Sequence, residues 1–298
     1  MSAPSITSLS PASVTAGSSA FTLTVNGQNF VSGAQVNFGA SAPVTTFVNS
    51  NTLTAAITAP MVLNKGIIPV TVLQSGVLST VFLFAIPAAP AAFDLTTLAE
   101  VKGYLYPAIG NVTDDFILQD LITQGSQFLI NEVRRGADLY SSTTYSERYD
   151  GNGQDFLRLR HNPVTAVSQV KVGNTVIPQS PDYVLPGWAI NQNNFDGTGT
   201  GLIMVPGNYN YPQPFSTYSV FCKGRMNVLV NYTAGYSMVP ADLVEATVEL
   251  VGQNYKRRGW IDEKSQAMPM GAGTKTFRDW SFTPKISRVI QYYRRVTP

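Results

Sequence analysis

The chain contains one histidine, His161, and one cysteine, Cys222, and these two counts bound the chemistry open to it. A hydrolase of the Ser, His, acid type needs an imidazole base oriented by a carboxylate, and His161 is the only imidazole on offer. A lone histidine excludes multi-histidine metal sites. A lone cysteine excludes an intramolecular disulfide and cysteine clusters for zinc or iron-sulfur. Cys222 lies between Phe221 and Lys223 with no partner motif that would activate a thiol, and reads as a semi-buried strand residue.

Three other patterns invite a chemical reading. Asp150-Gly-Asn-Gly-Gln-Asp155 sets oxygen ligands at short spacing but lacks the acid at position twelve that completes a calcium loop, so a hairpin turn is expected. Gly197-Thr-Gly-Thr-Gly201 has no following Lys-Ser/Thr and no strand-then-helix setting, and reads as a flexible tip rather than a phosphate cradle. Glu245 and Glu249 share a helix face with Asp242 one turn earlier; with no facing histidine or second acidic helix they read as a solvated or subunit-facing stripe. The strongest pattern is the C-terminus, where 10 Lys and Arg in residues 256–298 are interleaved with Trp260, Phe277, Trp280, Phe282, Tyr292 and Tyr293. Such a mixture can contact phosphates and stack bases, or dock on an acidic protein surface with aromatics as anchors.

Charge also divides the 298 residues into segments. Residues 1–93 hold one charged side chain, Lys65. Residues 94–255 hold 9 basic and 15 acidic ones, and 256–298 hold 10 basic and 3 acidic, giving net charges of +1, −6 and +7. The Pro87-Ala-Ala-Pro90-Ala-Ala run at the first break reads as a stiff linker. With 44% hydrophobic residues and 13% charged, the chain is neither disordered nor membrane-like in composition. Its longest apolar stretch, the ten residues 77–86, is half of a bilayer span. The opening MSAPSITSLSP has no basic n-region or apolar h-region, so no secretory signal is expected. Synthesis in a cytoplasm is expected instead.

The first 93 residues hold 23 Ser and Thr, many alternating with apolar residues, as in Phe21-Thr22-Leu23-Thr24-Val25. Period-two alternation buries one face and solvates the other. Turn signals at Asn26-Gly27, Ser32-Gly33, Lys65-Gly66 and Ser75-Gly76 predict a small antiparallel sandwich without helices. The pieces Pro4-Ser-Ile-Thr-Ser-Leu-Ser-Pro11, Gly17, Leu23-Thr-Val-Asn-Gly-Gln-Asn-Phe30, Gly33-Ala-Gln-Val-Asn-Phe38 and Pro69-Val-Thr-Val72 resemble an IPT/TIG domain, over residues 4 to about 86. That immunoglobulin-like fold serves as a spacer or as a protein, sugar or DNA binder on different hosts, and a solvated spacer is the ordinary reading of its polar face.

Beyond the linker, Thr97-Leu-Ala-Glu100 fits a capping box and starts a short helix. A second helix is predicted from Thr113, with Asp114 and Asp115 in its first turn and Arg134-Arg135-Gly136 as its stop. Strands of an antiparallel sheet are predicted at 146–149, 156–160, 167–172, 176–177, 183–185, 202–205 and 227–232, with a long loop or hairpin extension over 186–219. A helix with Pro240 at its first position ends at Lys256-Arg257-Arg258-Gly259, and a last one runs from Pro284 to about Arg295.

Residues 94–298 resemble the head-to-tail connector, or head-completion adaptor, proteins of tailed bacteriophages. The matching pieces are Asp94-Leu-Thr-Thr-Leu-Ala-Glu-Val-Lys102, Asp114-Asp115 with Leu121-Ile122, Tyr149-Asp-Gly-Asn-Gly153 leading to Leu159-Arg-His-Asn-Pro-Val164, and Asp182-Tyr183. Further on come Gly224-Arg225, Asn227-Val228, Tyr232-Thr-Ala-Gly-Tyr236, Pro240-Ala-Asp242 and Tyr293-Arg-Arg295. The fused N-terminal domain and the long 186–219 region depart from the basic family pattern. The resemblance puts His161 in a strand-ending stretch, which implies structural use.

The expected fold is thus α+β and multidomain: an all-β Ig-like sandwich over 1–87, a Pro/Ala linker over 88–93, and a connector domain of helices plus an antiparallel sheet over 94–298. The resemblance implies a non-enzymatic virion protein of the neck, without cofactor or metal. It would assemble as a ring, of 12 copies in such families, beneath the portal protein and around passing double-stranded DNA, as a platform for a tail or stopper protein. On this reading Trp280, Phe282, Lys285, Arg288, Tyr292, Tyr293, Arg294 and Arg295 are portal-docking candidates. Arg134, Arg135, Lys256, Arg257 and Arg258 are candidates for the subunit interface or the DNA channel. The competing expectations are a surface-binding protein that uses the Ig-like domain on capsid, fibre or host glycan, and a sequence-independent DNA binder whose retention falls with salt.

Overall fold

The alternation of the first 86 residues becomes eight strands in two antiparallel sheets. The computed structural model describes residues 2–105, 112–181, 183, 185–191, 199–206, 220–258, 265–267, 274–276 and 282–294. One sheet orders β1 (Ser5–Ser10), β2 (Phe21–Gln28), β5 (Thr52–Ile57) and β4 (Thr45–Asn49). The other orders β3 (Gln35–Phe38), β6 (Gly66–Gln74) and β7 (Val77–Leu78), with β8 (Phe82–Ile86) also on β6. Leu23, Val25, Leu53, Ala55 and Ile57 of one sheet and Val36, Val70, Val72, Phe84 and Ile86 of the other are buried together. Phe84 anchors this core, edge-on to Phe38 at 5.3 Å and stacked with Phe21 at 6.2 Å between ring centroids. A side chain at Gly27 would strike the Ser5 carbonyl and the Phe30 ring, so glycine is required where β1 crosses β2. A single 3-10 turn, Ala59–Val62, interrupts the expected absence of helix.

By compactness the chain groups into two units, Met1–Leu129 with Val244–Val289, and Ile130–Leu243 with Ile290–Pro298. Alongside the sandwich, the first holds α1 (Leu98–Leu105) and parts of α2 (Val112–Val133), α3 (Ala241–Arg257) and α4 (Pro284–Tyr293). The capping box forms: Thr97 N donates to Glu100 Oε2 at 2.8 Å while Glu100 N donates to Thr97 Oγ1 at 3.3 Å. Val101, Leu105, Leu118, Ile122, Val248 and Val251 make the buried helical core. Gly125 lets helices approach, since a Cβ there would sit 3.3 Å from Val251 Cγ2. The three aspartates of α2 are each matched with a cation, Asp114 with Arg258 at 3.1 Å, Asp115 with Lys102 at 2.7 Å and Asp120 with Lys65 at 2.8 Å.

Among the described residues, the second unit contains two sheets rather than the one expected. β12 (Thr175–Ile177), β11 (Val164–Val172), β15 (Gly224–Ala234) and β9 (Thr143–Gly151) form the first, and β10 (Phe156–Arg158), β14 (Gly201–Val205) and β13 (Gly187–Ile190) the second. Residues 152–155 therefore turn from one sheet to the other instead of closing a hairpin. Asn152 shapes that turn, its Oδ1 accepting from Gln154 N at 2.9 Å and its Nδ2 donating to Phe156 O at 2.8 Å. The strand predicted at 183–185 is absent from its described residues. Tyr183 has φ +59°, outside the extended region, and the strand forms at Gly187–Ile190, where Trp188 is buried and donates Nε1 to Ile177 O. A short pair, β16 (Ser265–Ala267) and β17 (Thr274–Thr276), completes the described strands.

Helix ends fall within a residue or two of expectation. Pro240 precedes α3 rather than opening it, and α4 closes at Tyr293. At the end of α2 the left-handed residue is Arg134, at φ +58°, ahead of Gly136 at the same φ. Among the described residues no helix is long and apolar enough to cross a membrane.

Candidate functional site

β9 places Tyr145, Glu147 and Tyr149 on one face at alternate positions, and β15 places Tyr232 opposite Tyr145. With Asp138 from the 3-10 turn Gly136–Leu139 and His161 from the loop after β10, they form a partly buried polar cluster in which Asp138, Tyr149 and Tyr232 are the buried members. His161 Nδ1 lies 3.0 and 3.1 Å from the Asp138 oxygens, and because a carboxylate only accepts, the Nδ1 proton is assigned to that contact. Tyr145 donates to Asp138 Oδ1 at 2.9 Å and stacks its ring on His161 at 3.8 Å. His161 Nε2 faces Glu147 Oε1 at 3.9 Å.

The tyrosines satisfy the other half of the cluster. Tyr149 and Tyr232 both give their hydroxyl protons to Glu147 Oε2, and in turn accept from Arg160 N at 3.0 Å and His161 N at 3.3 Å. Burial opposes ionisation of Glu147. The hydrogen bonds from Tyr149 and Tyr232 and the nearby His161 and Arg160 outweigh it and hold the carboxyl below its ordinary value. Burial first, then donation to Glu147, pushes the Tyr149 hydroxyl up to about 12, and the same causes raise Tyr232. Every charge here has a partner, and the imidazole meets carboxylates rather than a hydroxyl or thiol. The arrangement holds the 159–163 loop in place.

The other single residues of chemical interest are equally occupied or displaced. Cys222 is exposed ahead of β15 rather than semi-buried in a strand, because its neighbour Phe221 takes the fully buried position. Asp150 Oδ1 accepts from Met226 N at 2.6 Å. Among the described residues no group of three or more His, Cys, Asp or Glu side chains is gathered as for a metal ion. Gly199 and Gly201 belong to paired backbone rather than a loose tip: Gly199 bridges Val164 and Gly201 opens β14, while 197 and 198 lie outside the described residues. The 186–219 extension is a β13–β14 pair where it is described.

The acidic stripe of α3 meets the basic C-terminal helix. Asp242 accepts from Tyr293 OH at 2.8 Å, and Glu245 pairs with Lys285. α4 is thus a packed helix, with Ile286, Val289, Ile290 and Tyr293 buried. Of the eight residues singled out for docking, three serve this packing. Phe282 lies 5.5 Å from the Phe128 ring, Lys285 pairs with Glu245, and Tyr293 also presents its carbonyl to Arg135 Nε at 2.6 Å. Burial first, then donation to Asp242, raises the Tyr293 hydroxyl. Arg288, Tyr292 and Arg294 remain on the outside, Tyr292 at 73% exposure. Trp280 and Arg295 lie outside the described residues.

The five candidates for a subunit interface or channel divide the same way. Arg135 is committed to Tyr293 O and to Asn162 O at 3.1 Å. Arg258 is committed to Asp114 and to the Tyr255 ring at 3.9 Å. Arg257 is half-buried, while Arg134 and Lys256 are exposed. Sequence reasoning missed the Asp138, His161, Glu147 cluster as a unit, although Tyr145, Glu147 and Tyr149 at alternate strand positions carried a signal. Within the sandwich, Ser8, Ser10, Thr22, Thr24, Asn26, Thr46, Thr52 and Thr54 share the outer face of the first sheet, where Asn26 Nδ2 donates to Ser8 Oγ at 3.2 Å.

No curated protein matches the chain. Among solved structures, a chain of the virion of a native gene transfer agent particle is similar at 17% identity, with 71% of this chain and 94% of that chain covered and a TM-score of 0.34. Residues 4–86 match the IPT/TIG domain family, so the N-terminal sandwich described above is an IPT/TIG immunoglobulin-like domain.

Proposed function

We propose that the chain is a structural virion component, a head-to-tail adaptor that assembles as a ring under the portal protein, around the DNA channel, and offers a platform to the tail. The observation that carries this reading is the outer face of α4. Arg288 and Tyr292 stand exposed on a helix that Ile286, Val289, Ile290 and Tyr293 pack down, and Arg294 is exposed just past its end. An exposed aromatic between guanidinium groups on a fixed backbone is the composition of an interface anchor, and it loses little conformational freedom on docking. The resemblance of residues 94–298 to connector proteins supplies the partner. The cluster around His161 supports a structural rather than a catalytic use of the one imidazole, since Asp138 holds its Nδ1 and its Nε2, the nitrogen a base would use, faces the Glu147 carboxylate rather than a hydroxyl or thiol.

The test is a cryo-EM reconstruction of the particle focused on the tail-bearing vertex, paired with a portal-binding assay of Arg288→Ala, Tyr292→Ala and Arg294→Ala. A ring between portal and tail, with binding lost in the triple variant, is the expected result. Density confined to the capsid exterior or fibre tips overturns the adaptor reading.

A second reading has its own observation. The outer face of the first sheet is an uncharged array of hydroxyls and one amide, and such a face can hydrogen-bond a sugar or a capsid surface. On this reading the IPT/TIG domain is the working part and the rest anchors it. Selective retention of the full chain on a glycan array, lost when Thr24 and Thr54 are changed to Val, supports it.

A further inference from the structure

Lys65 is the one charged side chain of the first 93 residues, and it is spent on α2. Its Nζ lies 2.8 Å from both carboxylate oxygens of Asp120 and 5.5 Å from the ring centroid of Phe116, one helical turn earlier. The same part of α2 receives the end of the linker. Asp94 Oδ2 accepts from Gln119 Nε2 at 2.9 Å and Thr123 Oγ1 at 3.3 Å, and also from Ala91 N at 2.9 Å. Leu95 N donates to the buried Ser126 Oγ at 2.9 Å. Phe116, Gln119, Asp120 and Thr123 follow one another at i, i+3, i+4 and i+7, so both attachments fall on one stripe of the helix.

The two attachments differ in kind. The Asp94 pin is adjacent to the covalent connection and gathers three donors on one oxygen, so it behaves as a pivot. The Lys65 pin is reached through the whole sandwich, and it is electrostatic and open to solvent, with side-chain exposures of 49% for Lys65 and 30% for Asp120. A general solubilising charge would need no such bidentate seat beside an aromatic ring.

We propose that Lys65 and the Phe116–Asp120 pair of α2 form a releasable latch on the IPT/TIG domain. Closed, the latch holds the sandwich in one orientation on α2. Open, the sandwich is tethered through residues 87–93 and turns about the Asp94 pivot. An exposed ion pair biases such an equilibrium by about two- to five-fold, so the latch is poised rather than locked, and raised ionic strength weakens it. The inference is independent of the virion role.

The test uses the full chain in a Cys222→Ser background, spin-labelled through Ser8→Cys on the sandwich and Ile117→Cys on α2, with the distance distribution read by double electron-electron resonance. The parent is expected to give one dominant distance. Lys65→Ala and Asp120→Asn each raise the displaced population about two- to five-fold. The charge-reversed pair, Lys65→Asp with Asp120→Lys, returns it to the parent value. An unchanged distribution in Lys65→Ala overturns the latch, and so does a reversed pair as broad as the single variants. Both label positions, Ser8 and Ile117, are solvent-exposed, and an unchanged far-ultraviolet circular dichroism spectrum separates release of the domain from loss of fold.

Discussion

The IPT/TIG sandwich and the Asp138, His161, Glu147 cluster stabilise their surroundings by opposite means. The sandwich has no Asp, Glu, His, Cys or Tyr in residues 1–93, and its interior is apolar but for the neutral Gln74 and Ser79, each hydrogen-bonded to backbone. Its stability comes from area removed from water, a non-directional term spread over many residues. The cluster concentrates two carboxylates, an imidazole and three phenols in one place, and its worth depends on every partner being present. One region therefore tolerates the loss of any single contact by degrees, whereas the other responds sharply to the loss of one.

The largest effect is expected in the cluster. His161→Ala leaves the Asp138 carboxylate, 3% exposed, with Tyr145 as its remaining side-chain donor, and stripping the partner from a buried carboxylate in this way costs about 3 to 5 kcal/mol. Amide hydrogen exchange across β9 and β15 reads the loss locally, and the amides of β2 and β5 are expected to keep their protection. Leu23→Ala makes the converse change. It opens a cavity in a site with no exposed surface and costs about 2 to 5 kcal/mol in β2 and β5, as large-to-small core changes do. Equal losses of protection in both regions from either variant would show that the comparison has no local meaning.

How much of each region was legible follows from the same contrast. The sandwich was readable because its signal is periodic: Leu23, Val25, Leu53 and Val72 fall at the alternate positions that a half-buried strand requires. The capping box at Thr97 and Glu100 was readable because both partners lie within one turn. The cluster was not, because Asp138, Glu147, His161 and Tyr232 come from four separate segments, of which the pairing of β9 with β15 joins two and the adjoining turn and loop bring the others. The same limit hid the fate of the basic C-terminus. Phe282, Lys285 and Tyr293 have the composition of an interface, and their partners Phe128, Glu245 and Asp242 are distant in sequence. Tyr183 defeated the strand prediction through its own backbone, a φ that no side-chain pattern reports.

Acid separates the two regions without any mutation. Glu147 is held below its ordinary carboxylate value in the fold, so its contribution is present above the unfolded value near 4.5 and is lost as pH falls through the lower folded value. Protection of β9 and β15 is expected to decline in that acid window, and Glu147→Gln to flatten the decline at the cost of lower protection at neutral pH. The sandwich strands carry no carboxylate and are expected to hold their protection through the same range. A parallel decline in β2 and β5 would mean that acid acts on the chain as a whole.

The smallest effect sharpens the comparison at the helix between them in sequence. In α1, Glu100 is held below its ordinary value by the Thr97 backbone N–H first and the Thr96 hydroxyl second, with burial opposing. Thr97→Ala removes the hydroxyl that caps Glu100 N but leaves the backbone donor to Glu100 Oε2. The expected loss is about 1 kcal/mol, confined to exchange in α1, because one orphan N–H returns to water at an exposed position. Glu100→Ala removes the acceptor that Thr96 and Thr97 share and is expected to cost more. It also abolishes the acid dependence of α1, which Thr97→Ala retains. If the two variants match in size and both keep that dependence, the carboxylate is a bystander and the hydroxyl alone caps the helix.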